Sequence, residues 1–190
     1  MYKRQEINLI LIRHGEAAQA WGDDHDPGLS AKGIDQAKLL ISNSELPPLK
    51  NYKFVSSPKS RALMTASPLE QEYKKDLSID STFSEIPSGD IEASRKREWL
   101  TNIMKMDIRE LPKEVSEWRE KILHKSLSLT ENTVVFTHFM VINSIVGMLV
   151  NHPNLLYFYP DYTSVTKIII KDGKVNEFFI GGEKKTPINL

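Results

Sequence analysis

The sequence predicts an α/β fold: a three-layer αβα sandwich with a mostly parallel central sheet and helices on both faces. Two observations predict it. The runs 7–12 (INLILI) and 132–138 (NTVVFTH) are almost continuously apolar and β-branched, which is typical of parallel strands buried on both faces. Segments with helical periodicity separate the strand-like runs, and this alternation characterises α/β proteins.

The first half of the chain alternates strand and helix twice. The strand over 7–12 leads into a helix within 29–46, for which Ser30 is the expected N-cap. A second strand is predicted over 52–57, and Pro58 then suits the first position of the next helix.

The second half is expected to complete the sheet. A weaker strand candidate over 77–83 precedes a turn-rich loop, and the charged stretch 91–129 has the period of two helices separated by Pro112. After the buried run 132–138, the almost wholly apolar stretch 140–150 predicts a buried helix. The last two strands then form a hairpin within 164–180, joined at Asp172-Gly173.

Length and composition limit the possible functions. The 190 residues predict one domain over 1–180, followed by a flexible tail over 181–190. Lys plus Arg and Asp plus Glu number 25 each, and this balance argues against nucleic-acid binding and against a membrane-binding surface. The chain has no cysteine, so disulfides, thiolate metal sites and thiol nucleophiles are excluded, and a cytoplasmic location fits. No segment approaches the roughly 20 apolar residues that span a bilayer.

Polar side chains follow the ends of several predicted strands. Arg13 and His14 come directly after the first strand, and Arg61 lies shortly after the second. Glu85 follows the third strand candidate, and His138 ends the 132–138 run. Because ligands of open α/β sheets bind at the carboxyl ends of the strands, these five side chains are expected to form one site.

This set of side chains suits phosphoryl transfer without a metal ion or a cofactor. Arginine forks match phosphoryl oxygens, and a neutral histidine is a competent nucleophile. A carboxylic acid can protonate a leaving oxygen and then activate water. The acidic run 23–26 (DDHD) is a weaker candidate for a divalent-metal site, because adjacent side chains rarely converge on one ion.

Four sequence blocks carry a family resemblance. In order and spacing, LIRHGEA, SSPKSRALMTA, SEI and VVFTH resemble the histidine phosphatase superfamily, also called phosphoglycerate mutase-like. The resemblance implies that His14 accepts the phosphoryl group and that Glu85 donates a proton to the leaving group. It also implies that Arg13, Arg61 and His138 stabilise the phosphoryl oxygens.

Further residues are predicted around this site. Gly15 permits close backbone approach after the strand. Glu16 is expected to hold the nucleophile in position or to form hydrogen bonds next to it, without touching the substrate. Gln19 is a candidate polar contact with substrate. Phe139, where the family often has glycine, narrows the rim of the pocket.

The departures from the family favour a phosphatase over a mutase. Where members with mutase activity usually carry a serine and an asparagine, this chain has Ala17 and Ala20. We therefore expect a phosphomonoester hydrolase that acts on a small molecule or on a phosphoprotein. A phosphomutase and a catalytically silent phosphate-binding protein are the alternatives, and the sequence does not indicate an oligomeric state.

Overall fold

A six-stranded mixed sheet forms the centre of the protein in the computed structural model, which describes residues 6–19 and 26–188. The strand order is β3-β2-β4-β1-β5-β6. The first four of these are mutually parallel, whereas β5 and β6 are antiparallel additions at one edge. The strands are β1 (Glu6–Arg13), β2 (Lys53–Ser56), β3 (Leu77–Ile79), β4 (Thr133–Thr137), β5 (Val165–Lys171) and β6 (Lys174–Phe179).

Five α-helices accompany the sheet in the part of the chain that the structure describes. They are α1 (Ala31–Leu39), α2 (Ser60–Tyr73), α3 (Ala93–Lys105), α4 (Lys113–Leu127) and α5 (Phe139–Leu149). Within the described ranges, none of them is both long and apolar enough to cross a bilayer.

Two hydrophobic clusters show that helices cover both faces of the sheet. Leu9 and Leu11 of β1 pack in one cluster with Ile122 of α4 and Ile142 of α5. The alternate residues of β1, Ile10 and Ile12, pack in the other cluster with residues of α2. Since side chains alternate along a strand, β1 is buried on both sides, and the predicted three-layer architecture with its mostly parallel sheet is confirmed.

Most of the predicted helices, strands and turns are confirmed, and the start of one helix was predicted wrongly. Ser30 caps α1 by accepting a hydrogen bond from the Gly33 amide. Pro112 is the N-cap of α4, and Asp172 and Gly173 both have positive φ in the final hairpin. One detail was wrong: Pro58 precedes α2 rather than occupying its first position, because Lys59 is the N-cap with extended backbone angles and the helix begins at Ser60.

The connection after β1 lies directly against the first turn of α1. A Cβ atom placed on Gly15 would come within 2.8 Å of the Gly33 carbonyl oxygen, and a Cβ on Gly33 would overlap the backbone of Glu16. Two glycines therefore allow the backbone after β1 to touch a helix, and this contact fixes where the residues that follow β1 lie.

We predict that Gly33→Ala destabilises the protein although alanine is the better helix former. The added methyl group meets immobile backbone, and such overpacking costs roughly 1–3 kcal/mol, more than the ~1 kcal/mol gained in helix propensity. Gly147→Ala in α5 is the matched control, because its Cβ would meet no atom closer than 4.0 Å. Urea unfolding should show a lower free energy of unfolding for Gly33→Ala and no decrease for Gly147→Ala. Equal stability of the two variants would contradict the close contact between Gly33 and the backbone of Glu16.

Candidate active site

Three parallel strands end in register and bring distant residues together. Arg13 of β1 lies opposite Thr137 of β4, and Ser56 of β2 lies opposite Phe136 of β4. The hydrogen bonds continue beyond the strands: the His14 amide donates to the Thr137 carbonyl at 2.9 Å, and the Ser57 amide to the Phe136 carbonyl at 3.0 Å. The segments after β1, β2 and β4 consequently meet at one edge of the sheet.

The imidazole of His14 is held in one tautomer. Its Nδ1 lies 2.7 Å from the Gly15 carbonyl oxygen, an atom that only accepts hydrogen bonds, so Nδ1 carries the proton. The other nitrogen, Nε2, accepts a hydrogen bond from Nε of Arg61 at 3.2 Å. Burial, followed by the charges of Arg61 and Arg13, keeps the pKa of His14 well below its usual value. The ring is therefore neutral near pH 7, with its lone pair on Nε2.

Two buried arginines place positive charge near this ring. Arg61 lies in the first turn of α2, Arg13 ends β1, and their exposed fractions are 1% and 0%. Burial lowers the pKa of Arg13 to about 10, which still leaves the side chain charged near neutral pH. Its Cζ lies 4.1 Å from the centroid of the Tyr162 ring and 5.0 Å from that of Phe139. These two rings constrain the plane of the guanidinium.

The second histidine completes the group. The ring centroids of His138 and His14 are 5.3 Å apart. Nε2 of His138 lies 2.7 Å from Oγ of Ser57, whereas Nδ1 is buried and has no hydrogen-bond partner in residues 6–19 and 26–188. Burial and the neighbouring Arg61 hold the pKa of His138 well below its usual value. A neutral imidazole keeps one N–H group, and through it His138 can donate a hydrogen bond to an anion.

Glu85 is a buried carboxyl group beside the start of α5. Its Oε1 accepts hydrogen bonds from the amides of Ile86 at 3.0 Å and Met140 at 3.1 Å. Burial raises the pKa of Glu85 to about 7, although those amides and the charges of Arg61 and Arg13 act in the opposite direction. A carboxyl group with such a pKa can give up and take back a proton near neutrality.

The remaining predicted residues occupy different positions. The Gly15 amide donates to Oγ1 of Thr65 at 3.0 Å. The Glu16 carboxylate accepts from Oγ of Ser30 at 2.9 Å and so joins the residues after β1 to the start of α1. Phe139 is fully buried and packs on the Arg13 guanidinium instead of forming a rim, because the first turn of α5 points inward. Gln19 is exposed at the edge of the described region.

Sequence reasoning missed four residues that the fold places beside the site. Ser57 contacts His138, Thr65 supports Gly15, and Tyr162 stacks on Arg13. Asp26 accepts from the amide and hydroxyl of Ser60, and its Oδ1 lies 4.0 Å from Nη1 of Arg61. Ser57 and Thr65 had a sequence signal, since both belong to the SSPKSRALMTA block. Asp26 ends the DDHD run, which was considered only as a metal site, and Tyr162 comes from a segment with no chemical motif.

No metal site emerges where the structure describes the chain: none of its clusters of histidine and acidic side chains could hold an ion. Of the DDHD run, Asp23, Asp24 and His25 lie outside the described residues, and Ala20 does as well. The charge that an anion would meet comes from Arg13 and Arg61.

Comparison with known proteins identifies the family of the chain. A model of the histidine phosphatase superfamily, branch 1, matches residues 9–178. The chain belongs to the histidine phosphatase superfamily. No curated protein matches the sequence significantly.

Solved structures of distant relatives share the fold. Bacillus stearothermophilus YhfR superposes with a TM-score of 0.74 at 21% identity, covering 94% of this chain and 98% of that one. Phosphoserine phosphatase from Entamoeba histolytica superposes with a TM-score of 0.67 at 22% identity, covering 90% of this chain and 96% of that one. A mycobacterial glucosyl-3-phosphoglycerate phosphatase gives 0.67 at 17% identity, with 94% and 100% covered.

For this member of the superfamily, we predict that the Glu85 carboxyl titrates near pH 7. Burial favours its neutral form, so the proton should stay bound well above the usual range for glutamate. Carbon-13 NMR of glutamate-labelled protein reports the midpoint, and Glu85→Gln identifies the signal by removing it. Because the folded-state pKa is raised from 4.5 to about 7, the stability of the wild type relative to that variant should fall as pH rises from about 4.5 to about 7 and level off above. A midpoint near 4.5 would contradict the buried environment.

Proposed function

We propose that the protein hydrolyses phosphomonoesters through a phosphohistidine formed at Nε2 of His14. The observation that carries the proposal is the state of this ring. Its Nδ1 proton is committed to the Gly15 carbonyl, while the unprotonated Nε2 lies 3.2 Å from the Arg61 guanidinium. The nucleophilic nitrogen therefore lies beside a positive charge that would attract an anionic phosphoryl group.

The first half-reaction breaks the ester bond. The lone pair on Nε2 of His14 attacks phosphorus, and Arg61 exchanges its hydrogen bond to the ring for one to a phosphoryl oxygen. The leaving oxygen takes the proton of Glu85. As the ring becomes an imidazolium bearing the phosphoryl group, the hydrogen bond from Nδ1 to the Gly15 carbonyl stabilises its new positive charge.

The second half-reaction releases phosphate. Glu85, now a carboxylate, accepts a proton from water, and the hydroxide attacks phosphorus. Cleavage of the P–N bond returns the electron pair to Nε2 of His14 and leaves Glu85 protonated again. Arg13, Arg61 and His138 stabilise the phosphoryl oxygens in both halves, so no step requires a metal ion.

The names of the structural relatives support the same reaction class. Two of them are phosphatases, one of phosphoserine and one of glucosyl-3-phosphoglycerate. Both names describe phosphomonoesters of small molecules. We propose phosphorylated metabolites and phosphopeptides as the substrates to screen, with inorganic phosphate as the readout.

We predict that His14→Ala abolishes a covalent phosphoenzyme. Rapid quenching of the wild type and 32P-labelled substrate in alkaline detergent should trap a base-stable phosphoprotein that loses its label on exposure to acid. The variant should form none, and its turnover of p-nitrophenyl phosphate should fall about a thousandfold or more. His124→Ala, at an exposed position of α4, is the matched control and should behave as the wild type.

Other results, in this assay and in related ones, would contradict parts of the proposal. Full turnover by His14→Ala would exclude the nucleophile. Phosphate binding by the wild type with neither turnover nor label would indicate a silent binding protein, and isomer interconversion faster than hydrolysis would indicate a mutase. Loss of activity after treatment with EDTA would contradict catalysis without metal.

We predict that Glu85→Gln affects substrates according to their leaving group. The amide cannot donate the required proton, so hydrolysis of an alkyl phosphate should slow by about 10²–10⁴-fold. p-Nitrophenolate leaves without protonation, so the phosphorylation step with p-nitrophenyl phosphate should slow much less. Burst kinetics isolate that step for each substrate. An equal loss for both would show that Glu85 does not protonate the leaving group.

A further inference from the structure

The end of the chain lies along the residues that precede β5. The Lys184 amide donates to the Tyr159 carbonyl at 2.9 Å, and the Asp161 amide donates to the Gly182 carbonyl at 2.9 Å. Pro160 and Glu183 form an antiparallel bridge between these two hydrogen bonds. The pairing resembles a short β-ladder and directs the following residues toward the site. We call residues 183–188 the C-terminal segment.

Two residues of the C-terminal segment contact the guanidinium of Arg13. Nη1 donates to Oγ1 of Thr186 at 2.5 Å, and Nη2 donates to the Pro187 carbonyl at 2.9 Å. Nη1 also donates to the Pro160 carbonyl at 2.8 Å. The hydroxyl of Tyr162, whose ring stacks on the guanidinium, donates to the same Pro187 carbonyl at 3.1 Å.

Counting donors shows what is left for a ligand. A guanidinium has five N–H groups; Nη1 of Arg13 donates two hydrogen bonds and Nη2 donates one, and the Tyr162 hydroxyl is a further polar neighbour. The buried Nε has no partner in the described part of the chain. Nε–H lies on the edge of the planar fork that Nε shares with Nη2. That edge is one of the two with which arginine binds an oxyanion through parallel hydrogen bonds.

We propose that the C-terminal segment is part of the phosphate site and that Thr186 is a positioning residue for Arg13. The inference rests on the proposed function, and it adds the C-terminal segment to the residues that form the phosphate site. Thr186 and Pro187 hold the Nη1 side of the fork, and Phe139 and Tyr162 hold its plane. The Nε edge is thereby fixed before the phosphoryl group arrives, so binding does not bear the cost of ordering a long side chain.

The test compares two substitutions at one position. Thr186→Val keeps the shape of the side chain and removes the acceptor, whereas Thr186→Ser keeps the hydroxyl. Calorimetry measures the affinity for inorganic phosphate, and steady-state kinetics with p-nitrophenyl phosphate separate KM from kcat. We expect Thr186→Val to weaken phosphate binding and raise KM about tenfold, with a smaller change in kcat. Thr186→Ser should stay within about twofold of the wild type, as should the control Thr101→Val on the exposed side of α3.

A double-mutant cycle shows whether Thr186 acts through Arg13. In the Arg13→Lys background, Thr186→Val should change phosphate affinity less than twofold, because lysine lacks the fork that the segment holds. Equal effects in both backgrounds would overturn the positioning role. An increase in affinity or in kcat/KM on Thr186→Val would overturn it too, because it would show that the segment obstructs the site.

The failure of this inference differs from that of the proposed function. If the wild type hydrolyses phosphomonoesters and Thr186→Val has the same phosphate affinity and KM, only the inference about Thr186 is overturned. A wild type that neither binds inorganic phosphate nor turns over a phosphomonoester overturns both. Thermal denaturation of each variant identifies a loss that comes from unfolding. If Thr186→Val unfolds, Thr186→Ala, which also removes the hydroxyl, takes its place in the wild-type and Arg13→Lys backgrounds.

Discussion

The shared register of β1, β2 and β4 is the constraint on which the site depends. Parallel strands end on the same side of a sheet, and β4 lies between the other two. The segments that carry His14 and Ser57 each continue the hydrogen-bond ladder onto β4, through the carbonyls of Thr137 and Phe136. A histidine near the start of the chain consequently meets one more than a hundred positions later, and a shift of a single residue would turn either side chain to the opposite face.

Burial of positive charge is the main electrostatic feature of the site. Arg13 and Arg61 are almost completely shielded from solvent, and buried charges are costly unless they have partners. The chain meets this cost with backbone carbonyls, a threonine hydroxyl, a nearby aspartate and two aromatic rings. Burial and the charges of the two arginines hold the pKa of both histidines well below its usual value, so both rings are neutral near pH 7.

Two carboxylates near the site differ in role because their surroundings differ. Glu85 is buried, and its pKa moves to about 7, where a proton can be exchanged. Glu16 lies closer to His14 in sequence but is partly exposed, and its contacts with Ser30 and Lys32 make it a support for α1. Environment, more than proximity to the nucleophile along the chain, separates a candidate acid from a structural anion.

The sequence by itself determined the fold class, nearly all the helices and strands, and five of the chemical groups of the site. These depend on local signals: apolar runs, the cap at Ser30, the Asp172-Gly173 turn and polar residues placed at strand ends. Only the tertiary structure decided which atoms face one another. It committed Nδ1 of His14 to the Gly15 carbonyl, turned Phe139 under Arg13, and brought Tyr162 and Thr186 to that guanidinium. Those contacts join segments far apart in the chain and depend on strand register and helix packing, and a stretch such as KKTPIN carries no local pattern that would reveal them.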